Sequence, residues 1–499
     1  MNLWELLLAA RARDPAAPAL ELAGGDTRSH GELLAAAERW AALLHSHGVA
    51  RGDRVALWLG NREETVLAYL AALRLGAVAV PLNLAYRRQE LAHVLADAAP
   101  RLLLAEREQM AVLDEVGREA LGEVPLRLVE ELAPLAGAAQ PTAELPPSRA
   151  GGDDLALLLY TSGTTGRSKG AMLTHNNLLA TTTGLLAAWR WEPRDRLLLT
   201  LPIFHTHGLV VGLLTALAAG ASVRLRRRFD AAAAIAELAA GEATLFFGVP
   251  TMYVRLVEAL QAGGGEALRG VRLFCCGSAP LAPETFHAFA TATGHAILER
   301  YGMTETGMLL SNPYAGERLP GTVGTPLPGV SLRIVDRDGG DLPAGGEGEL
   351  LVRGSNVFAG YWRDAGKTAE SFATDEAGNR WFRTGDLGRV DPANGHVSLL
   401  GRGRELILRG GFNVYPREVE EVLELFASVR EAAVVGRPHP EWGEVPVAFV
   451  VVEGDLDEAA LLAHCGAELA RFKLPVAFRR VDALPRNALG KVQKHLLPE

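Results

Sequence analysis

The chain has 499 residues, 48% of them hydrophobic and 22% charged. That length exceeds one ordinary core and predicts at least two domains, and the composition excludes a disordered or fibrous chain. A net charge of −9 argues against a general polyanion-binding surface, so no nucleic acid is expected as a partner.

Read in chain order, MNLWELLLAARARDP is a short amphipathic segment with no signal-peptide layout or cleavage site. Apolar strands are predicted at Arg54–Leu59, Ala77–Pro81, Arg101–Ala105, Leu155–Tyr160, Ala243–Gly248, Val271–Cys276 and His295–Arg300. Helical patterns such as 30–48 lie between several of them, and this alternation predicts an α/β fold with mostly parallel sheets. The Ala/Pro/Gly-rich stretch 135–152 reads as a loop or linker. The longest apolar run, Leu209–Val223, is shorter than the roughly twenty residues a bilayer span needs, so no membrane partner is expected. The basic run VRLRRR at 223–228 reads as a solvated strand edge. Cys275, Cys276 and Cys465 form no disulfide framework and fit a reducing, cytoplasmic setting.

From Gly321 to Gly401, short alternating strands broken by DRDGG and DPANG predict an antiparallel, barrel-like section. Beyond it, a helix at 416–426, two strands, a helix at 457–471 and a polar tail predict a small α+β domain. The expected division is a large domain over 1–400 and a small mobile one over 401–499.

The chain holds only five lysines (Lys169, Lys367, Lys473, Lys491 and Lys494) against 45 arginines. Where arginine serves for any generic positive charge, a retained lysine marks a place that wants a compact ammonium on a flexible stem.

The strongest motif is YTSGTTGRSKGAMLTH at 160–175, directly after an apolar strand. Its Thr161, Ser162, Gly163, Thr164, Thr165 and Gly166 offer backbone N–H groups and hydroxyls suited to folding over polyphosphate, with Lys169 close behind. The spacing fails the G-x-x-x-x-G-K-[ST] rule, which argues against an ordinary P-loop NTPase.

The string resembles the phosphate-loop signature of the adenylate-forming superfamily of acyl-CoA synthetases, luciferases and adenylation domains. GSAP (277–280), RYGMTET (300–306), FRTGDLG (382–388), GRGRELILRGGFNVYPREVE (401–420) and PRNALGK (485–491) match in the same order. The resemblance runs from about residue 15 to the end. It implies ATP and CoA as co-substrates and Mg²⁺ as cofactor, with Glu305 and Thr165 as metal ligands; a hard carboxylate oxygen suits Mg²⁺. Gly277, Ser278, Ala279, Pro280, Tyr301, Gly302, Met303 and Thr304 would frame the nucleotide, and Asp386 and Arg402 would meet the ribose. Lys491 would neutralise charge as a carboxylate oxygen attacks the α-phosphate, and His205 would stand as a gate. The 401–404 segment resembles the family's hinge, with Arg404 where Asp or Lys is usual. Gly410 and Gly411 would let the backbone approach the CoA arm, and Arg471 and Lys473 are candidates for CoA phosphates. PRNALGK also resembles sites at which a protein acetyltransferase switches such enzymes off, here at Lys491.

LPIFHTHGLVVG (201–212) and ERYGMTETGMLLSNPY (299–314) resemble malonyl-CoA synthetases in particular. Arg300 ends an apolar strand, where an unpaired guanidinium is costly unless a substrate carboxylate meets it. His207 would assist it, Thr206, Met303 and Met308 would close the pocket, and Arg255 is a second candidate cation. Malonate or methylmalonate is therefore the expected acid. A brace from Arg300 to Glu299 or Glu305 is the structural alternative. At the level of function, a short-chain fatty or aryl acid:CoA ligase stays open. So, in another class, does a non-catalytic nucleotide- or acyl-adenylate-binding protein.

Overall fold

The computed structural model describes every residue except 1, 139–144, 146–148, 162–167, 262, 410–411, 440–441, 470, 488–489 and 499. The side chains of 116, 138, 404 and 413 are likewise outside the description. Each predicted strand forms, as Arg54–Trp58, Val78–Pro81, Leu102–Ala105, Leu155–Thr161, Leu245–Gly248, Leu273–Cys276 and Leu298–Tyr301. They divide between a seven-stranded and a nine-stranded sheet. In the larger, Leu298–Tyr301, Leu273–Cys276, Leu245–Gly248, Arg196–Leu199 and Ser222–Leu225 lie side by side and parallel. Runs such as LFFG and LFCC are buried at every position, as strands covered on both faces must be.

The helical pattern at 30–48 becomes His30–Ser46, started by a capping box between Ser29 and Glu32 and burying Leu33, Leu34, Ala37, Trp40, Ala41 and Leu44. The opening segment is the helix Leu3–Arg13, which buries Leu3, Trp4, Leu7 and Ala10. It is tied to the core where the Leu3 N–H donates to His175 Nδ1 at 3.2 Å. The long apolar run forms the π-helical turn His207–Leu214 and the helix Thr215–Ala219, all within the protein interior. Among the described residues no helix is long and apolar enough to cross a membrane.

One expectation is corrected. The basic run at 223–228 begins in an internal strand, Ser222–Leu225, paired with Arg196–Leu199 on one side and Pro18–Glu21 on the other. Arg224 lies within 2.5 Å of Glu21, 3.0 Å of Glu237 and 2.5 Å of Glu242, so the strand is charge-compensated rather than a solvated edge.

The section beyond Gly321 is a five-stranded antiparallel sheet of Ser331–Val335, Gly348–Arg353, Phe372–Thr374, Arg380–Val390 and Val397–Arg402. Its last strand still pairs with Arg380–Val390 at Arg402, opposite Asp386. A single 3-10 turn, Gly403–Glu405, leads to Ile407–Arg409, the first strand of the small domain. There the helices Pro416–Glu424 and Glu458–Glu468 pack Val419, Leu423, Leu461 and Cys465 against Ile407, Val434 and Val450. All three cysteines are buried free thiols.

Candidate active site

Four motif segments follow four adjacent parallel strands: 200–207 after Arg196–Leu199, 249–255 after Leu245–Gly248, 277–280 after Leu273–Cys276, and 302–305 after Leu298–Tyr301. The carboxyl edge of such a sheet is where open α/β folds hold ligands. Sequence positions a hundred residues apart are therefore neighbours by topology alone.

Arg300 is 4% exposed, and its Nε and Nη2 have no hydrogen-bond partner. Neither proposed brace exists among the described residues. Glu299 Oε1 accepts from the Leu281 N–H at 3.2 Å, while Glu305 Oε1 accepts from the Tyr361 hydroxyl at 3.0 Å and from Thr161 at 3.5 Å. The guanidinium does reach the Cys275 thiol. A Cβ added to Gly277 would lie 2.5 Å from Arg300 Cζ, so the glycine leaves room for the guanidinium. His207, close enough to feel the Arg300 charge, and its chain neighbour Thr206 carry two more buried polar atoms without partners, Nε2 and Oγ1. Unpaired polar groups in a dry interior cost free energy unless a ligand satisfies them.

His207 Nδ1 lies 3.2 Å from the Ser278 hydroxyl, and the His207 N–H donates to His205 Nδ1 at 3.2 Å. Ser278 holds a left-handed backbone, φ 75°, which few non-glycine residues adopt. Burial, reinforced by Arg300, holds His205 down to about 4 and His207 well below its ordinary value, so both rings are neutral at pH 7. Arg300 is thus the cation of this end of the site.

At the other end, Glu305 is 6% exposed and burial pushes its carboxyl up. It has no ion pair among the described residues. A buried carboxylate flanked by hydroxyls and lacking a cationic partner fits a hard divalent cation. The strand partners Thr161 and Lys169 lie opposite each other, and the Thr161 hydroxyl reaches Glu305. Lys169 Nζ lies 3.8 Å from Asp364 and over the Tyr361 ring. Ser162, Gly163, Thr164, Thr165 and Gly166 lie outside the described residues, as do Gly410, Gly411 and the Arg404 side chain. Asp386 accepts from the Tyr301 hydroxyl and pairs with Arg402 Nε at 2.6 Å, which ties the antiparallel section to the site. Gly302, Met303 and Thr304 are partly exposed along the same edge, as are Ser278 and Ala279, while Pro280 is exposed.

Lys491 sits in a self-braced hairpin. Its N–H donates to Asn487 Oδ1 at 2.9 Å and its carbonyl accepts from the Asn487 N–H at 2.9 Å. Gly490, at φ +76°, packs so closely that a Cβ there would lie 2.9 Å from Thr251 Oγ1 on the large domain. Gly490 therefore rests against the carboxyl edge.

Two residues do not join the site. Arg255 is on the exposed face of the helix Pro250–Leu260, where the helical period turns Tyr253 and Leu256 inward instead. Met308 is buried, and lines a separate cavity of about 290 Å³ with Thr181, Leu327 and Asn356, in whose wall neither Arg300 nor His207 takes part.

Sequence reasoning missed Tyr361 and Thr251, which carry no motif of their own. It also missed an aromatic face on the small domain. Phe412, 57% exposed, stacks on Phe472 at 4.8 Å; Trp442 is 43% exposed, and Arg409 lies over it at 6.0 Å. Arg471 is exposed beside this face, whereas Lys473 pairs with Glu418 at 2.5 Å. The interleaving of RGGF and RFK was the available signal.

Residues 8–362 match the AMP-binding enzyme family and 418–491 its C-terminal domain. The chain belongs to the AMP-binding enzyme family. A sulfoacetate–CoA ligase of Cupriavidus necator is 39% identical over 90% of this chain and 87% of its own. A mitochondrial malonate–CoA ligase of Bos taurus is 37% identical over 90% and 81%. Other matched relatives are named for feruloyl and indoleacetic acids. The crystal structure of ATP-bound MatB from Rhodopseudomonas palustris superposes with a TM-score of 0.91, at 41% identity over 99% of this chain and 98% of that one. This AMP-binding enzyme is an AMP-forming acid–CoA ligase, with ATP and CoA as co-substrates.

Proposed function

We propose that the acid carries a second anionic group close to the reacting carboxylate, and that it is malonate or methylmalonate. The observation that carries this reading is the buried Arg300 with Nε and Nη2 unpaired, near His207, whose Nε2 is also without a partner. A distal carboxylate would pair bidentately with the guanidinium and take up the neighbouring donors. A fatty or aryl pocket would instead leave that charge buried and uncompensated. The named acids of two relatives, malonate and sulfoacetate, both place an anion one methylene from the carboxylate.

In the first half-reaction a carboxylate oxygen attacks the ATP α-phosphorus and the bond to pyrophosphate breaks, leaving acyl-AMP. In the second, the CoA sulfur attacks the acyl carbon, loses its proton and expels AMP. Lys491 neutralises the charge building on the phosphates in the first step. Glu305, with Thr165, would hold Mg²⁺, which supplies charge neutralisation of the triphosphate when bound. Asp386 accepts the ribose hydroxyls, with Arg402 fixing its carboxylate. His205 borders the acid pocket as its gate. The aromatic face with Arg409, Arg471 and Lys473 offers stacking and charge for the CoA nucleotide once the small domain turns about 401–404 and Lys473 leaves Glu418. A protein acetyltransferase acting on Lys491 would remove the charge this chemistry uses.

Pyrophosphate release with malonate, methylmalonate, sulfoacetate, acetate, butyrate and an aryl acid tests the reading. Malonate or methylmalonate should lead by kcat/KM. A best substrate with a single anionic group would overturn it, and a failure to release pyrophosphate with any acid would favour a non-catalytic binding protein.

A further inference from the structure

Glu305 accepts from two hydroxyls, Thr161 at 3.5 Å and Tyr361 at 3.0 Å, and Lys169 Nζ lies over the Tyr361 ring at 5.9 Å. These residues stand at one end of three neighbouring strands, Leu155–Thr161, Lys169–Thr174 and Gly360–Tyr361, of which Lys169–Thr174 pairs with both others. Each has an adjoining residue bound by a single helix, Arg88–Ala98. The Tyr160 hydroxyl donates to Asp97 Oδ2 at 2.6 Å, and the Trp362 indole N–H donates to the Asp97 carbonyl at 3.1 Å. His93 Nε2 lies 2.8 Å from the Ser168 carbonyl; a carbonyl only accepts, so the ring nitrogen donates. His93 and Asp97 are four residues apart on the helix, so its period places them on one face. The helix itself is well held. It buries Leu91, Val94, Leu95 and Ala98, and Arg54 donates at 2.9 Å to each of the Ala98 and Ala99 carbonyls at its C-terminal end.

We propose that His93 and Asp97 are positioning residues for ATP binding: through Tyr160, Trp362 and Ser168 they set the backbone from which Thr161, Tyr361 and Lys169 converge on Glu305. The inference rests on the reading of Glu305 given above, as the carboxylate of the Mg·ATP end. Ladder hydrogen bonds flank these three residues on one side only, and the ends of strands open most easily. The three bonds to the helix supply the missing restraint. Each anchor is one residue from the group it serves, so a single planar peptide carries the restraint across. The Tyr160 bond is the strongest of the three, because a hydroxyl donating to a carboxylate at 2.6 Å belongs to the short, charge-assisted class. Asp97 thereby holds the neighbours of both hydroxyls on Glu305, Tyr160 by its carboxylate and Trp362 by its carbonyl.

The test uses the full chain and sets a binding measurement beside both half-reactions. Calorimetry follows a non-hydrolysable ATP analogue with Mg²⁺ and no acid present. Pyrophosphate formation is measured with malonate and ATP, and thioester formation from synthetic malonyl-adenylate with CoA, a step that uses no triphosphate. Tyr160→Phe keeps the ring and removes the hydroxyl. It and His93→Ala should each weaken analogue binding and raise the ATP KM about three- to thirtyfold, the range for losing one such hydrogen bond. The malonate KM and the thioester step should hold. His93→Gln, whose side-chain amide can donate from the place of Nε2, should restore ATP binding. Asp97→Asn keeps an acceptor and should lose less than Asp97→Ala, to which Tyr160→Phe should add little. Unchanged analogue affinity overturns the proposal. So do equal losses in both half-reactions with a lowered Tm, since the helix then serves stability alone. Should Asp97→Ala fail to fold, Tyr160→Phe still decides. Glu305→Gln separates the two levels. If it weakens Mg²⁺-dependent analogue binding while Tyr160→Phe and His93→Ala bind as the wild type does, only the proposal falls; if it binds unchanged, the reading of Glu305 falls and takes the proposal with it.

Discussion

Arg300→Ala removes a guanidinium that is 4% exposed and has two unpaired nitrogens in the protein alone. If a distal carboxylate meets those nitrogens, the variant loses one partner of a desolvated charge pair. Such a loss costs roughly 2–5 kcal/mol, or about thirtyfold to several-thousandfold in kcat/KM for malonate. Butyrate should gain relative to malonate, because the buried charge that rejects its alkyl end has gone. Stability should move the other way from activity. With no ion pair to break, removing an uncompensated buried charge leaves the melting temperature of the free protein unchanged or raises it, most clearly in Arg300→Met, which refills the volume. Gly277→Ala makes an independent version of the same perturbation, since its Cβ would displace the guanidinium from 2.5 Å away without deleting it. Initial rates of pyrophosphate release on malonate and butyrate, with thermal melts of each variant, suffice. A malonate-to-butyrate ratio that does not move would refute the assignment. So would a sharp fall in melting temperature with all acids failing together, the signature of a structural brace.

Lys491→Ala should suppress adenylation on the order of a hundredfold or more while sparing CoA transfer to pre-formed acyl-adenylate; equal losses would contradict its role. Arg404→Pro should favour the present orientation, because the 3-10 turn at Gly403–Glu405 accepts a φ near −65°. Pyrophosphate formation would then survive while thioester formation fails, and two normal half-reactions would place the pivot elsewhere. Burial pushes the Glu299 carboxyl up to about 8, opposed by the Leu281 N–H and by Arg417 from the small domain. The folded protein thus holds a proton that the unfolded chain releases near 4.5, and stability declines as pH rises between those values. Between pH 6 and 8, Glu299→Gln should lose less stability than the wild type in denaturant titrations, and parallel losses would show that Glu299 is ionised throughout.

The alternation of apolar strands with amphipathic helices was enough to predict two mostly parallel sheets, because a strand buried on both faces must be apolar along its whole length, as LFFG and LFCC are. The motif strings were legible for a related reason: a loop that wraps phosphate needs glycine and hydroxyls at fixed places, and that demand is local. Periodicity on either side of a residue does not say which neighbours a sheet will bring. Arg255 and Arg300 are both arginines close to motif segments, and only the topology separates them, turning one to solvent on a helix and leaving the Nε and Nη2 of the other unpaired on the buried strand Leu298–Tyr301. The basic run at 223–228 looked solvated because its acids lie elsewhere in the chain, Glu21 some two hundred residues away. Tyr361 at Glu305, Thr251 at Gly490 and Glu405 at Lys494 are likewise long-range pairings. The chemistry each residue can perform is a property of the side chain and was readable from the sequence. Which partner it meets depends on how two sheets and a connecting turn close in space, and that only the tertiary structure decided.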